Sequence, residues 1–177
     1  MMQAAFSPDC AELGPILVDP SPRTKDAARA NLLAFSNEVR LQRKTRFNST
    51  LSPVKSMPRI RQCYDWLQLT GGDLLRLLPR RLLSPEYDVS KLKRYIDPDV
   101  CYTAAVYEFV EDTGNDRVVV QEVLDFFWRA GFSHVLAPRA CNWKSGVLID
   151  LSDIIHPMGY GWHVKLLGNR QAEHILL

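Results

Sequence analysis

Two side chains near the C-terminal third are spaced to do metal chemistry. Asn142 and Asp150 flank the run Trp143-Lys144-Ser145-Gly146-Val147-Leu148-Ile149, and Leu151-Ser152-Asp153 follows. Val147 to Ile149 reads as a buried strand, predicted over 146–151, that delivers Asp150 where it stops. A carboxylate at a strand end, with an amide oxygen eight residues earlier, can offer oxygen ligands to a hard cation such as Mg²⁺. The same pattern also describes a buried strand that closes in a polar turn.

The elements that must position this pair come from the rest of the chain. Its 177 residues suffice for one sizeable core. Hydrophobic residues make up 46% and charged residues 24%, a globular composition. Residues 1–60 carry 9 Lys/Arg against 5 Asp/Glu, and residues 61–177 carry 13 against 15. That basic excess is too weak to argue for nucleic acid, so nucleic-acid binding is not expected. No apolar run reaches the roughly 20 residues of a membrane-spanning helix, and Met1 to Asp9 lacks the basic and apolar regions of a secretory signal. The four cysteines, Cys10, Cys63, Cys101 and Cys141, form no Cys-x-x-Cys pair. Reduced thiols and a cytoplasmic or nuclear setting are expected, and no ligand spacing supports a zinc site built from Cys141 with His134, His156 or His163.

Residues 1–24 are rich in proline and read as a flexible arm, with Ile16-Leu17-Val18 as one short strand. Asp26 is the expected cap of a helix running to about Thr45, with Ala28, Leu32, Phe35 and Val39 on its apolar face and Arg40 among the charged residues around it. Residues 46–58 read as a loop in which Ser52-Pro53-Val54-Lys55 matches what a proline-directed kinase accepts, although a plain turn explains it as well. Residues 59–70 and 101–110 read as strands. Gly71-Gly72 ends the first, and an apolar run cut off by Pro79 follows it. Asp116 caps a helix over 117–130 whose buried side is Val119, Val123, Phe126, Phe127 and Ala130, with Gly131 as its stop. A second strand or hairpin arm is expected near Gly161–Leu167, and the last ten residues read as a tail or short helix.

Five segments in this order bear a resemblance: Phe35 to Arg40, Arg61 to Trp66, Val106-Tyr107-Glu108-Phe109-Val110, Asp125 to Phe132, and Asn142 through Ser152. Across about residues 26–155 the chain resembles a family of filamentous-fungal proteins related to protein kinases. The resemblance implies an α+β, partial protein-kinase-like fold. Antiparallel small-lobe strands with one helix would precede a reduced helical lobe with a β-hairpin. Residues 25–170 would form the truncated domain and 171–177 a tail. It also implies a nucleotide site for ATP and Mg²⁺. Glu38 would be the helix glutamate that anchors a phosphate-binding lysine, Tyr107, Glu108, Phe109 and Val110 the adenine-facing hinge, and Asn142 and Asp150 the metal ligands.

The departures set the expected function. The position five residues before Asn142, where the family has its catalytic aspartate, is Ala137. No glycine-rich phosphate loop or strand lysine precedes Glu38. The expectation is a pseudokinase-type binding or scaffold protein with weak or absent nucleotide binding and another protein as its partner. One alternative is a residual ATP-dependent phosphotransferase in which Asp153 replaces the base. Another is a winged-helix-like nucleic-acid-binding module built on helix 117–130 and a hairpin at 146–167. A fourth reading is a gene fragment that leaves Phe126, Phe127 and Trp162 exposed.

Overall fold

A computed structural model describes residues 4–6, 13–43, 50–83, 87–89, 92–135 and 138–177. In chain order its elements are β1 (Ile16–Val18), α1 (Lys25–Leu33), α2 (Asn37–Arg43), β2 (Ser52–Val54), β3 (Cys63–Thr70), α3 (Gly71–Leu77), β4 (Tyr87–Val89), β5 (Leu92–Arg94), β6 (Cys101–Tyr107), α4 (Arg117–Arg129), β7 (Ser133–His134), β8 (Trp143–Lys144), β9 (Val147–Leu148), β10 (Ile154–Ile155) and α5 (Ala172–Ile175). The fold is α+β. Among the described residues its strands pair as five small antiparallel sheets of two strands each: β1–β2, β3–β6, β4–β5, β7–β10 and β8–β9. The chain divides into two compact units, a larger one of residues 1–61 and 110–177 and a smaller one of residues 62–109.

In the larger unit α4 is the central element. Asp116 caps it, its side chain accepting from the Val118 amide at 2.7 Å. Val120, Val123, Leu124 and Phe127 recur at helical spacing and are buried, with Phe126 beside them. The buried stripe is rotated from the expected one, because Val119 lies on the flank, where its side chain fills the space over Gly146. Against α4 pack Ile16 and Val18 of β1, Ala34 and Phe35 after α1, Trp143 and Leu148, and Ala172 and Ile175 of α5. The strand expected at 16–18 is therefore a core strand, held by β2, and α5 is docked in the core rather than trailing from it. Phe126, Phe127 and Trp162 are all buried.

The single helix expected from Asp26 to Thr45 is two. Thr24 is the cap of α1, accepting from the Ala27 amide at 3.1 Å. The first helix then closes in tight turns, Phe35 N–H to Leu32 O and Ser36 N–H to Leu33 O, and α2 starts after Ser36. Phe35, freed from a continuous helix, meets the Phe126 ring edge-on with centroids 5.9 Å apart. At the other end of α4 the Phe132 amide bonds Phe127 O and the Gly131 amide bonds Trp128 O, both at 2.9 Å. This double closure needs a left-handed residue, and Gly131 supplies it at φ 90°. A Cβ there would also lie 2.2 Å from the Ala28 carbonyl oxygen.

The smaller unit is organised by the β3–β6 ribbon, in register from Asp65 opposite Val106 to Thr70 opposite Cys101, with a bulge between Cys63 and Asp65. Thr70 ends β3 and opens α3 through a reciprocal cap with Asp73, and Pro79 follows the helix. Thr70's hydroxyl and amide hold the Asp73 carboxyl below its ordinary range. Gly71 permits the turn, since a Cβ on it would lie 1.9 Å from Asp97 O.

Candidate functional site

The stretch around Asn142 and Asp150 is a tight hairpin. Trp143 lies opposite Leu148 and Lys144 opposite Val147, which leaves Ser145-Gly146 as a two-residue turn. Both turn residues have positive φ, 49° and 75°, the mirror-image turn that matches strand twist. The predicted strand over 146–151 thus shrinks to Val147–Leu148, and Gly146 belongs to the turn. The turn is pinned to the segment before α4. Ser145 Oγ donates to Glu111 O at 2.6 Å and accepts from the Thr113 amide at 2.9 Å, while Asn115 Oδ1 accepts from the Gly146 amide at 3.0 Å.

The hairpin brings the Asn142 and Asp150 backbones to its open end, where the Ile149 amide donates to Asn142 O at 2.8 Å. Their side chains serve local structure. Asn142 is buried at the end of a 3₁₀ turn, with its Oδ1 3.7 Å from Cys141 Sγ. Asp150 is exposed and caps the next 3₁₀ turn, Leu151–Asp153, its Oδ1 accepting from the Ser152 amide at 2.8 Å. Ser152's amide and hydroxyl hold the Asp150 carboxyl below the usual carboxylate range. Asp153, the alternative acid, is buried and accepts from the Arg139 amide at 2.8 Å. Among the described residues no three His, Cys, Asp or Glu side chains converge on a point where a metal ion could sit. Ala137 lies outside the described residues.

The other expected positions fall in different places. Glu38 is exposed in the first turn of α2, where a carboxylate complements the helix dipole. Tyr107 ends β6. Glu108 closes the ribbon, its amide donating to Gln62 O at 2.8 Å and its Oε2 accepting from the Gln62 amide at 3.2 Å. That amide is thereby committed to the ladder rather than offered to a base. Phe109 is 84% exposed, and Val110 is buried. Glu38, Val110, Asn142 and Asp150 belong to the larger unit, and Tyr107, Glu108 and Phe109 to the smaller. Ser52, in the proline-directed pattern, is half-buried at the start of β2, opposite Val18.

Other features lay beyond sequence reading. Asn31 is buried, donates to Asp19 O at 2.8 Å and to Arg129 O at 2.7 Å, and accepts from the Asp19 amide at 2.8 Å. Arg40 is also buried, and its guanidinium bonds Ala5 O at 2.8 Å and Gly14 O at 2.6 Å. Both hold structure rather than ligand. A groove of about 480 Å³ runs between residues 53–58 and α4, with Glu122 and Asp125 set beside Lys55 and Arg129. Its charges are mixed, and Asp125 Oδ1 is already taken by Gln121 Nε2 at 2.7 Å.

The most unusual surface belongs to the ribbon. Strand alternation and the register place Cys101, Thr103, Ala105 and Tyr107 on one face with Trp66, Gln68 and Thr70, and every one of these is exposed. Among the described residues of the smaller unit only Gly71 is buried. Among the described residues, eleven of the 19 exposed large hydrophobic side chains lie in residues 62–109, including Tyr64 and Trp66 at 60% each. No family model, curated protein or solved structure matches the chain.

Proposed function

We propose that the chain is a non-catalytic, kinase-derived binding module that holds another protein on the exposed face of the β3–β6 ribbon. The observation behind this reading is the concentration of exposed aromatic and aliphatic side chains on a unit with almost nothing buried. Apolar patches of that kind mark protein-binding surfaces, and Tyr and Trp are enriched in such contacts. Ala137 has no titratable group to serve as a base, which supports the non-catalytic reading. Three exposed free thiols, Cys63, Cys101 and Cys141, fit a reducing compartment such as cytosol or nucleus. Among the described residues no helix is long and apolar enough to cross a membrane.

The test is capture of partners from the native cell extract by the wild-type chain, by Trp66→Ala and by Leu151→Ala, which alters an exposed apolar residue of the larger unit. Partners lost from Trp66→Ala and retained by Leu151→Ala support the ribbon as the docking surface. Identical capture by all three removes it.

A nucleotide role is the weaker proposal, because Asp150 is committed to its cap and the Glu108 amide to Gln62. Thermal melting with ATP and Mg²⁺ is expected to be unchanged. A rise in melting temperature abolished by Asp150→Ala would reinstate it.

A further inference from the structure

One stretch of the smaller unit joins apolar and basic side chains in a way the ribbon does not. From Leu74 to Leu83 the chain reads Leu-Leu-Arg-Leu-Leu-Pro-Arg-Arg-Leu-Leu, and residues 74–85 hold three arginines and no acid. α3 forms its first part, and a 3₁₀ turn, Arg80–Leu82, follows Pro79. At about 100° per residue, Leu74, Leu75 and Leu77 of α3 and Leu78 at its C-cap fall within an arc of about 160°, with Asp73 and Arg76 on the other side. Leucines at that spacing ordinarily face a core. Here Leu75, Leu77 and Leu78 are 42%, 63% and 37% exposed. Arg76, Arg80 and Arg81 are exposed beside them, Arg76 bonding Asp73 at 2.9 Å across one turn of the helix. The strip is carried by a held element. The Thr70–Asp73 cap fixes the start of α3, and the Gly71 amide donates to Val100 O at 2.9 Å.

We infer that Leu74 to Leu83 is a membrane-surface site that seats the smaller unit on an anionic phospholipid leaflet. This goes beyond the ribbon reading, because none of these residues lies in β3 or β6. Apolar area and charge together choose the occupant. An acidic protein surface would pair the arginines but set three exposed leucines against charged groups. A neutral bilayer would take the leucines and offer the arginines no net negative charge. An anionic leaflet matches both. Acyl chains meet the leucines, and phosphate oxygens, which a guanidinium bonds through two N–H groups at once, lie at the level of the arginines. Cytoplasmic leaflets carry that negative charge, in keeping with the compartment that the free thiols fit.

The size of the strip sets how it binds. With seven residues α3 lies on a bilayer and cannot cross one. A single short strip holds weakly, so binding should require lipid charge and fall as salt is raised.

The test is co-sedimentation of the full chain with vesicles of phosphatidylcholine alone and of equal parts phosphatidylcholine and phosphatidylserine. The chain should pellet with the second and stay in solution with the first. Arg80→Gln with Arg81→Gln should lower partitioning onto the anionic vesicles roughly tenfold or more. Leu75→Ser with Leu77→Ser should lower it as well, and Leu151→Ala, an exposed apolar residue of the larger unit, should leave it unchanged. The two pairs test the charge and the apolar strip separately, so a pair that fails to fold leaves the other decisive. No pelleting with anionic vesicles, equal pelleting with both kinds, or pelleting that survives either folded pair overturns the inference. Binding to soluble polyglutamate without binding to vesicles also overturns it, and makes an acidic protein the partner of this strip.

Discussion

At the residue scale, the polar side chains that matter most to the larger unit are buried ones with distant partners. Asn31 makes three hydrogen bonds, one of them to the last carbonyl of α4. Asn31→Leu removes them and leaves buried backbone groups unpaired, so the expected loss in urea unfolding is about 2–4 kcal/mol. His134 is 2% exposed, its Nε2 has no hydrogen-bond partner among the described residues, and desolvation, with a further push from Arg170, lowers its pKa from 6.5 to about 4, against a smaller opposing pull from Asp153. The folded chain therefore excludes a proton that the unfolded chain binds. The contribution of His134 is fully present above pH 6.5 and is lost as pH drops from 6.5 to about 4. The His134 part is roughly 3 kcal/mol, and the slope between pH 6.5 and about 4 should be smaller in His134→Gln when unfolding is followed across that range. Asp150 gives the opposite kind of test. Asn caps a helical turn as well as Asp, so Asp150→Asn should keep the melting temperature while Asp150→Ala lowers it. A metal site would lose function in both.

At the element scale, α4 and the two ribbon strands were legible in the sequence because their signals are local. An Asp cap, a helical apolar stripe and a following glycine specify α4 within 16 residues, from Asp116 to Gly131. The ribbon strands announce themselves by β-branched and aromatic content. The metal-ligand stretch was legible only in part. Its apolar run marked a strand, but Ser145-Gly146 is held in the mirror-image turn by Glu111, Thr113 and Asn115, some thirty residues away. The same holds for Arg40, which periodicity puts among solvated charges and which instead bonds carbonyls 26 and 35 residues earlier. The strand expected near 161–167 is a short 3₁₀ turn, Val164–Leu166, capped by His163 Nδ1, so the only hairpin of that region among the described residues is the one at 143–148. Gly131 offers an element-scale test. Gly131→Ala places a side chain at positive φ and against the Ala28 backbone, and it should cost more than about 1 kcal/mol in chemical denaturation.

At the scale of the whole molecule, burial is divided unevenly. Among the described residues, the aromatic and aliphatic core lies in the larger unit, and the smaller unit contributes none of its residues. Backbone amides of α4 should therefore exchange with solvent far more slowly than those of β3 and β6, which hydrogen exchange measures directly. The chain leaves the larger unit at Arg61 and returns at Val110, and the two bonds between Gln62 and Glu108 hold the ends of the excursion side by side. Residues 63–107 are thus spliced into their host as an exchangeable cassette. Replacing them with a short glycine-containing loop should leave a folded host, which a cooperative thermal melt of the shortened chain would check.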